Sequence, residues 1–257
     1  MTIFGRLKKR LQEDGFKKTW SAVRRKFLYR IRSCAFLAGE TLEERFSEVY
    51  EKNVWGSKES ASGEGSEARY TEPLRRWLID TIASHRVSRI VDAPCGDFNW
   101  MSLVLPQVDV EYYGFDIVET LIRSNSERFE GPKISFAAAN ICQDPLPKCD
   151  LLVVRDFLFH LSYVDVNEFL SNIEKVDYRY LLTTTHVVGD FFKNIDIRSG
   201  DFRPIDLFAE PFNFSAGSVI GQVRDYPEGY SLQRLMVLIA KPDVPVKLGH
   251  PEGNGPA

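Results

Sequence analysis

The sequence predicts an α/β fold, a doubly wound, mostly parallel sheet of seven strands that ends in an antiparallel pair. Three observations point to it. Two short apolar runs, "RIVD" and "YYGFD", each end in a carboxylate, at Asp92 and Asp116, and strand-breaking Pro94, Gly96 and Asp97 follow the first. Strand and helix patterns alternate from there on. The last two strand patterns are joined by "DYPEGYS", which leaves no room for a helix and makes that pair antiparallel.

The strand patterns lie at residues 89–92, 111–115, 133–137, 150–154, 180–184, 218–224 and 234–240. Helix patterns fall between most of them, for example at 118–129 and 164–176, so both faces of the sheet are expected to be covered. Ahead of the first strand, Leu74, Trp77, Leu78 and Ile82 form an apolar stripe, with Pro73 expected in a first helical turn. A shorter helix is predicted over 41–52. Between these helices runs "VWGSKESASGEGS", residues 54–66, whose glycines and serines have the composition of a linker. Trp55 argues against a plain linker, because an indole normally buries its face, and the segment reads as lid-like.

Residues 1–40 differ from the rest. Phe16, Trp20, Val23, Phe27 and Ile31 recur at helical spacing among lysines and arginines, and Glu13 and Asp14 are the only acids before Cys34. A basic amphipathic helix is expected, suited to an anionic membrane surface or to docking on the protein's own domain. The main domain is placed at 41–245, with an insertion at 186–217 and a flexible tail at 246–257.

At 257 residues, 44% of them hydrophobic and 12% aromatic, the chain has a globular composition. A formal net charge of -3, with basic residues gathered at one end, gives no signal for nucleic acid. Cys34, Cys95, Cys142 and Cys149 lack paired spacing and histidine neighbours, so no metal site is expected. No apolar run has the length of a signal sequence or a membrane span. A cytoplasmic location, at most peripheral to the membrane, is the expectation.

In an open parallel sheet, ligands sit beyond the carboxyl ends of the strands, and an acid about 20 positions after the first loop binds a ribose. Asp116 stands in that relation to Asp92 and points to a nucleoside cofactor; capping the next helix is its plainer role. Ala93, Pro94 and Cys95 occupy the places of the glycines in a dinucleotide fingerprint, which counts against a pyrophosphate.

On these residues the sequence resembles the class I S-adenosylmethionine-dependent methyltransferases. Within them it is similar to a subgroup carrying "WG..ES.SG.GS", "DAPCGDF.WM", "G.DI", "RD.L.HL" and "N.DI..G..RP..L", which stand here at 55–66, 92–101, 114–117, 155–161 and 194–207. The resemblance implies a Rossmann-like methyltransferase fold that uses S-adenosyl-L-methionine. It implies a cofactor site of Asp92, Ala93, Pro94, Cys95, Gly96, Asp97 and Trp100, with Asp116, Ile117, Asn140, Ile141 and Arg155, covered by Trp55, Ser62 and Gly63. Asp92 and Asp97 are expected on the methionine amino group, or else in hydrogen bonds within the loop. Asn140 stands where the family usually has an adenine-binding Asp, and an amide carbonyl can accept the same bond.

Catalysis is expected at "VVRDFLFHL". His160 suits proton removal near neutral pH, and Asp156, one helical turn earlier, is placed to orient it; a helix cap and a satisfied buried histidine are the plainer roles. His186 ends the next strand and is expected in the same crevice. Asn194, Arg198 and Arg203 of the insertion are candidates for acceptor binding, or for bonds that knit the insertion to itself. The expected reaction is methyl transfer to an oxygen or nitrogen, with a sugar hydroxyl of a surface glycan or its precursor as acceptor. The alternative is a catalytically silent nucleoside-binding subunit with a regulatory or scaffolding part.

Overall fold

The computed structural model describes residues 39–189, 191–225 and 232–249. The basic helix expected over 1–40 falls outside them, apart from Gly39 and Glu40. Helix α1, Leu42–Glu51, starts on a reciprocal cap in which the Glu44 N–H donates to Thr41 Oγ1 and the Thr41 N–H donates to Glu44 Oε2, both at 3.1 Å. Helix α2, Ala68–Ser84, buries Tyr70, Leu74, Leu78 and Ile82 along one face. It begins earlier than its apolar stripe suggests, because the Glu59 carboxylate takes the Ala68 N–H at 2.7 Å. Pro73 therefore sits in the second turn rather than the first, where it removes one hydrogen bond that the buried face of the helix offsets.

Seven strands follow: β1 Arg89–Asp92, β2 Glu111–Asp116, β3 Ile134–Ala138, β4 Leu151–Val154, β5 Tyr180–Val187, β6 Val219–Arg224 and β7 Gln233–Ala240. Their order in the sheet is β3-β2-β1-β4-β5-β7-β6. The first five run parallel, and β7 runs antiparallel to both β5 and β6. Alternate residues feed two cores. Val91, Leu152, Val154, Leu181 and Val237 join one apolar cluster, whereas Ile90, Leu151, Val153, Leu182 and Met236 join the other. Burial on both faces is why these strands read as continuous apolar runs.

The crossovers are less helical than expected. Among the described residues only β2 to β3 and β4 to β5 cross through α-helices, α3 at Glu119–Phe129 and α4 at Tyr163–Glu174. After β1, Phe98, Trp100, Met101, Val104 and Leu105 are all buried, so the segment packs as two short 3₁₀ turns instead of showing one apolar stripe. One face of the sheet is covered by α2 and this segment, the other by α4 and the insertion residues Ile205, Leu207, Phe212 and Phe214. The flexible tail expected from 246 is docked at its start: Leu248 is buried and its N–H donates to Asn167 Oδ1 at 2.7 Å. Residues 250–257 lie outside the described residues.

Candidate active site

A cavity of about 320 Å³ crosses the carboxyl ends of the parallel strands, in the size range of small-molecule sites. Its floor is the loop after β1, and every N–H from Ala93 to Asp97 is engaged. Ala93 donates to the Val153 carbonyl at 2.9 Å, Cys95 to the Phe115 carbonyl at 2.8 Å, Gly96 to Asp116 Oδ2 at 3.1 Å and Asp97 to Ser62 Oγ at 3.0 Å. Pro94 has no N–H to give. Gly96 has φ 56°, and a Cβ there would lie 2.2 Å from Ser62 Oγ, so the position requires glycine.

Asp116 ends β2 on the cavity wall, with its Oδ1 accepting the Val118 N–H at 3.1 Å. Burial pushes its carboxyl up to about 6, against the N–H groups of Val118 and Gly96. A carboxylate offers about four acceptor sites, and these backbone donors leave room for a ribose hydroxyl. Asp92 lies behind the loop, 1% exposed, and accepts the Tyr112 hydroxyl at 2.8 Å. Burial pushes it up to about 7, opposed by that hydroxyl and by Arg155.

Segment 54–66 closes over this floor. The Asp97 carboxylate accepts Ser60 Oγ at 3.0 Å, the Ala61 N–H at 2.7 Å and Ser62 Oγ at 3.1 Å. Arg155 reaches the Gly65 carbonyl through Nη2 at 2.6 Å and pairs with Asp225 through Nε at 3.0 Å and Nη2 at 3.1 Å. Arg234 of β7 holds Asp156 Oδ2 at 2.6 Å. Burial pushes the Asp156 carboxyl up, but Arg155 and Arg234 outweigh it and hold the group below its ordinary value. Four charges at the ends of β4, β6 and β7, Arg155 and Asp225 buried and Asp156 and Arg234 partly so, thus form one network under the segment.

His160 lines the same cavity. Its Nδ1 is 2.7 Å from the Asp201 carbonyl, an atom that can only accept, so Nδ1 carries the proton and Nε2 keeps the lone pair. Burial lowers its pKa, partly opposed by the Asp201 carbonyl and by Asp156.

No protein-family model and no curated protein matches this chain. Solved structures do match it. A SAM-dependent methyltransferase from Leishmania major superposes with a TM-score of 0.55 at 15% identity, over 79% of this chain and 88% of that one. The magnesium protoporphyrin IX methyltransferase of Synechocystis PCC 6803, solved with bound SAH, gives a TM-score of 0.51 at 12% identity, over 77% of this chain and 99% of that one. The fold is that of the class I methyltransferases.

Within this methyltransferase fold, most of the sequence-predicted site converges. Pro94, Cys95, Gly96 and Trp100, with Asp116, Ile117, Asn140 and Ile141, line one end of the cavity. Trp55, Ser62 and Gly63 cover it, and Arg155, Asp156 and His160 close the far end. Asn140 is partly committed, since its Oδ1 accepts the Cys142 N–H at 3.1 Å.

Other expectations need correction. Asp92, Ala93 and Asp97 lie behind the wall, and the Asp97 carboxylate is spent on the covering segment. Asp156 does not orient His160; the Asp201 carbonyl holds that ring. His186 is buried behind Phe159, its Nδ1 taking the Ile205 N–H at 3.1 Å, and burial lowers it to about 4. Asn194 holds the Asp206 and Glu210 carbonyls at 2.9 and 2.8 Å, Arg198 reaches the Gly39 carbonyl, and Arg203 stacks on Tyr163 and Phe212. Asn194 thus knits the insertion to itself, Arg198 and Arg203 tie it to neighbouring segments, and none of the three lines the cavity. Among the described residues no cluster suited to a metal ion is present.

Several wall residues were missed. Leu42, Phe46 and Tyr50 come from α1, where their every-fourth spacing was a visible signal without a visible destination. Phe159, Phe202 and Arg234 carried no signal that separates wall from core.

Proposed function

We propose that this chain transfers a methyl group from S-adenosylmethionine to an oxygen or nitrogen of a small acceptor, with His160 as general base. The observation that carries the proposal is the cavity floor: a buried carboxylate at the end of β2 beside a loop with no N–H to spare. A pyrophosphate needs free backbone donors and meets acids here, whereas a phosphate-free nucleoside needs an acceptor for its ribose, which Asp116 supplies. When bound, S-adenosylmethionine supplies a methyl group on a sulfonium sulfur, which keeps the bonding pair as the methyl leaves.

The chain's own part is to hold, orient and move one proton. The Asp201 carbonyl fixes the His160 tautomer, and burial keeps the ring neutral at pH 7, so Nε2 is ready to accept. Segment 54–66, held by Asp97 and Arg155, excludes water from the cofactor end. The test is calorimetric titration of the full chain with S-adenosylmethionine, S-adenosylhomocysteine and NAD, beside Asp116→Ala. Both sulfur compounds are expected to bind and the variant to weaken them at least about tenfold, or 1.4 kcal/mol. Binding of NAD alone would overturn the proposal.

A further inference from the structure

Around His160 the cavity wall is made of rings. The imidazole centroid lies 4.6 Å from Phe159, 5.5 Å from Trp55 and 6.0 Å from Phe202, and the Trp55 plane is tilted 35° from its own. Phe46 and Tyr50 of α1 also line the cavity. Trp55 stays 36% exposed, so part of a large apolar face at the site is left uncovered.

The cations of this wall are already committed. Arg234 is held by Asp156, and Arg155 by Asp225. Among the described residues no lysine lines the cavity. Adjoining it across Leu42, Ile117 and Asn140 is a groove bordered, among the described residues, by Glu40, Glu43, Glu119, Asp144, Asp165 and Glu168 against the one cation of Arg45. Among the described residues a phosphate or carboxylate would meet repulsion here and find no uncommitted counter-ion in the cavity wall.

Resting on the methyl-transfer reading, we infer that the acceptor is an uncharged phenol, its flat ring against Trp55 and its hydroxyl at Nε2 of His160. Its proton passes to Nε2, while the Nδ1–H stays on the Asp201 carbonyl. The phenol oxygen gains the methyl group and the pair of the broken carbon–sulfur bond remains on sulfur, so the positive charge moves from sulfonium to imidazolium. Acidity supports the assignment. A phenol with a pKa of about 10 is within reach of a base whose pKa lies below 6.5, whereas an alcohol nearer the ~15.7 of water is several powers of ten harder to ionise. A sugar also needs hydrogen-bond partners for its neighbouring hydroxyls, which the rings of Trp55, Phe159 and Phe202 beside His160 do not provide.

The experiment is transfer of labelled methyl from S-adenosylmethionine by the full chain to 4-methylumbelliferone, methyl α-glucoside and a nucleotide sugar. S-adenosylhomocysteine binding is measured on the same preparation. The phenol is expected to be methylated with a kcat/KM at least about tenfold above either sugar, and Trp55→Ala to raise its KM about tenfold. Methylation of a sugar in preference to the phenol, or no methylation of the phenol by protein that binds S-adenosylhomocysteine, overturns the acceptor inference alone. Absence of S-adenosylhomocysteine binding overturns the methyl-transfer reading and this inference with it.

Discussion

Replacing Asp97 by alanine should release the segment over the cavity without unfolding the sheet. The carboxylate accepts three hydrogen bonds from that segment, at 3.0, 2.7 and 3.1 Å; the loop also meets the segment through the Asp97 N–H on Ser62 and through Asn99 Nδ2 on Glu59 and the Ser66 carbonyl, which the substitution leaves in place. A hydrogen bond to a charged group contributes about 1.5–3 kcal/mol, and water refills a half-buried site, so the net loss is about 2 kcal/mol. That raises the open fraction of the segment roughly 30-fold. Native-state hydrogen exchange reads it at the Gly63 and Ser66 amides, which donate to Ser60 and Gly63 and not to Asp97. Their exchange should accelerate by about that factor, while amides of β4 and β5 keep their protection. Unchanged exchange at Gly63 and Ser66 would refute the idea that Asp97 holds the segment shut.

Two further expectations concern titration. His160→Gln should abolish methyl transfer while leaving S-adenosylhomocysteine affinity within about twofold; because burial lowers the His160 pKa, the wild-type rate should climb with pH only below 6.5 and be level at pH 7. An acid limb centred above pH 7 would remove His160 as the base. Asp92 titrates near 7 in the fold against 3.8 ordinarily, so the folded state binds the extra proton and stability falls as pH rises between those values. Asp92→Asn, which keeps an acceptor for the Tyr112 hydroxyl, should therefore gain on wild type by a few kcal/mol from pH 4 to pH 8 in denaturant titrations. A difference that stays constant with pH would contradict the burial argument.

The parts of the site that were legible share one property: their position follows from local pattern. Asp116 and Gly96 are placed by where a strand ends and a turn begins, and both line the cavity as expected. Asp97 has the same local credentials, yet its carboxylate faces serines 35 and 37 positions upstream. His186 sits at a strand end like Asp116, but Phe159 packs in front of it. Asn194, Arg198 and Arg203 looked like binding residues because they are polar residues in a long insertion. The insertion has no α-helix among its described residues, so Asn194 satisfies its backbone carbonyls while Arg198 and Arg203 fasten it to Gly39 and to the Tyr163 ring.

By itself the sequence determined the seven strands, their mostly parallel order with an antiparallel end, and the loop on which a nucleoside would rest. Hydrophobic periodicity, strand-ending carboxylates and turn residues act over a few neighbouring positions, so they survive reading in one dimension. The tertiary structure alone decided which acids face the cavity and which are consumed, that Arg155 meets Asp225 70 positions later, and that Asp201 rather than Asp156 sets the His160 tautomer. A side chain's chemistry depends on what the fold places against it, and those partners come from segments whose separation no local pattern encodes.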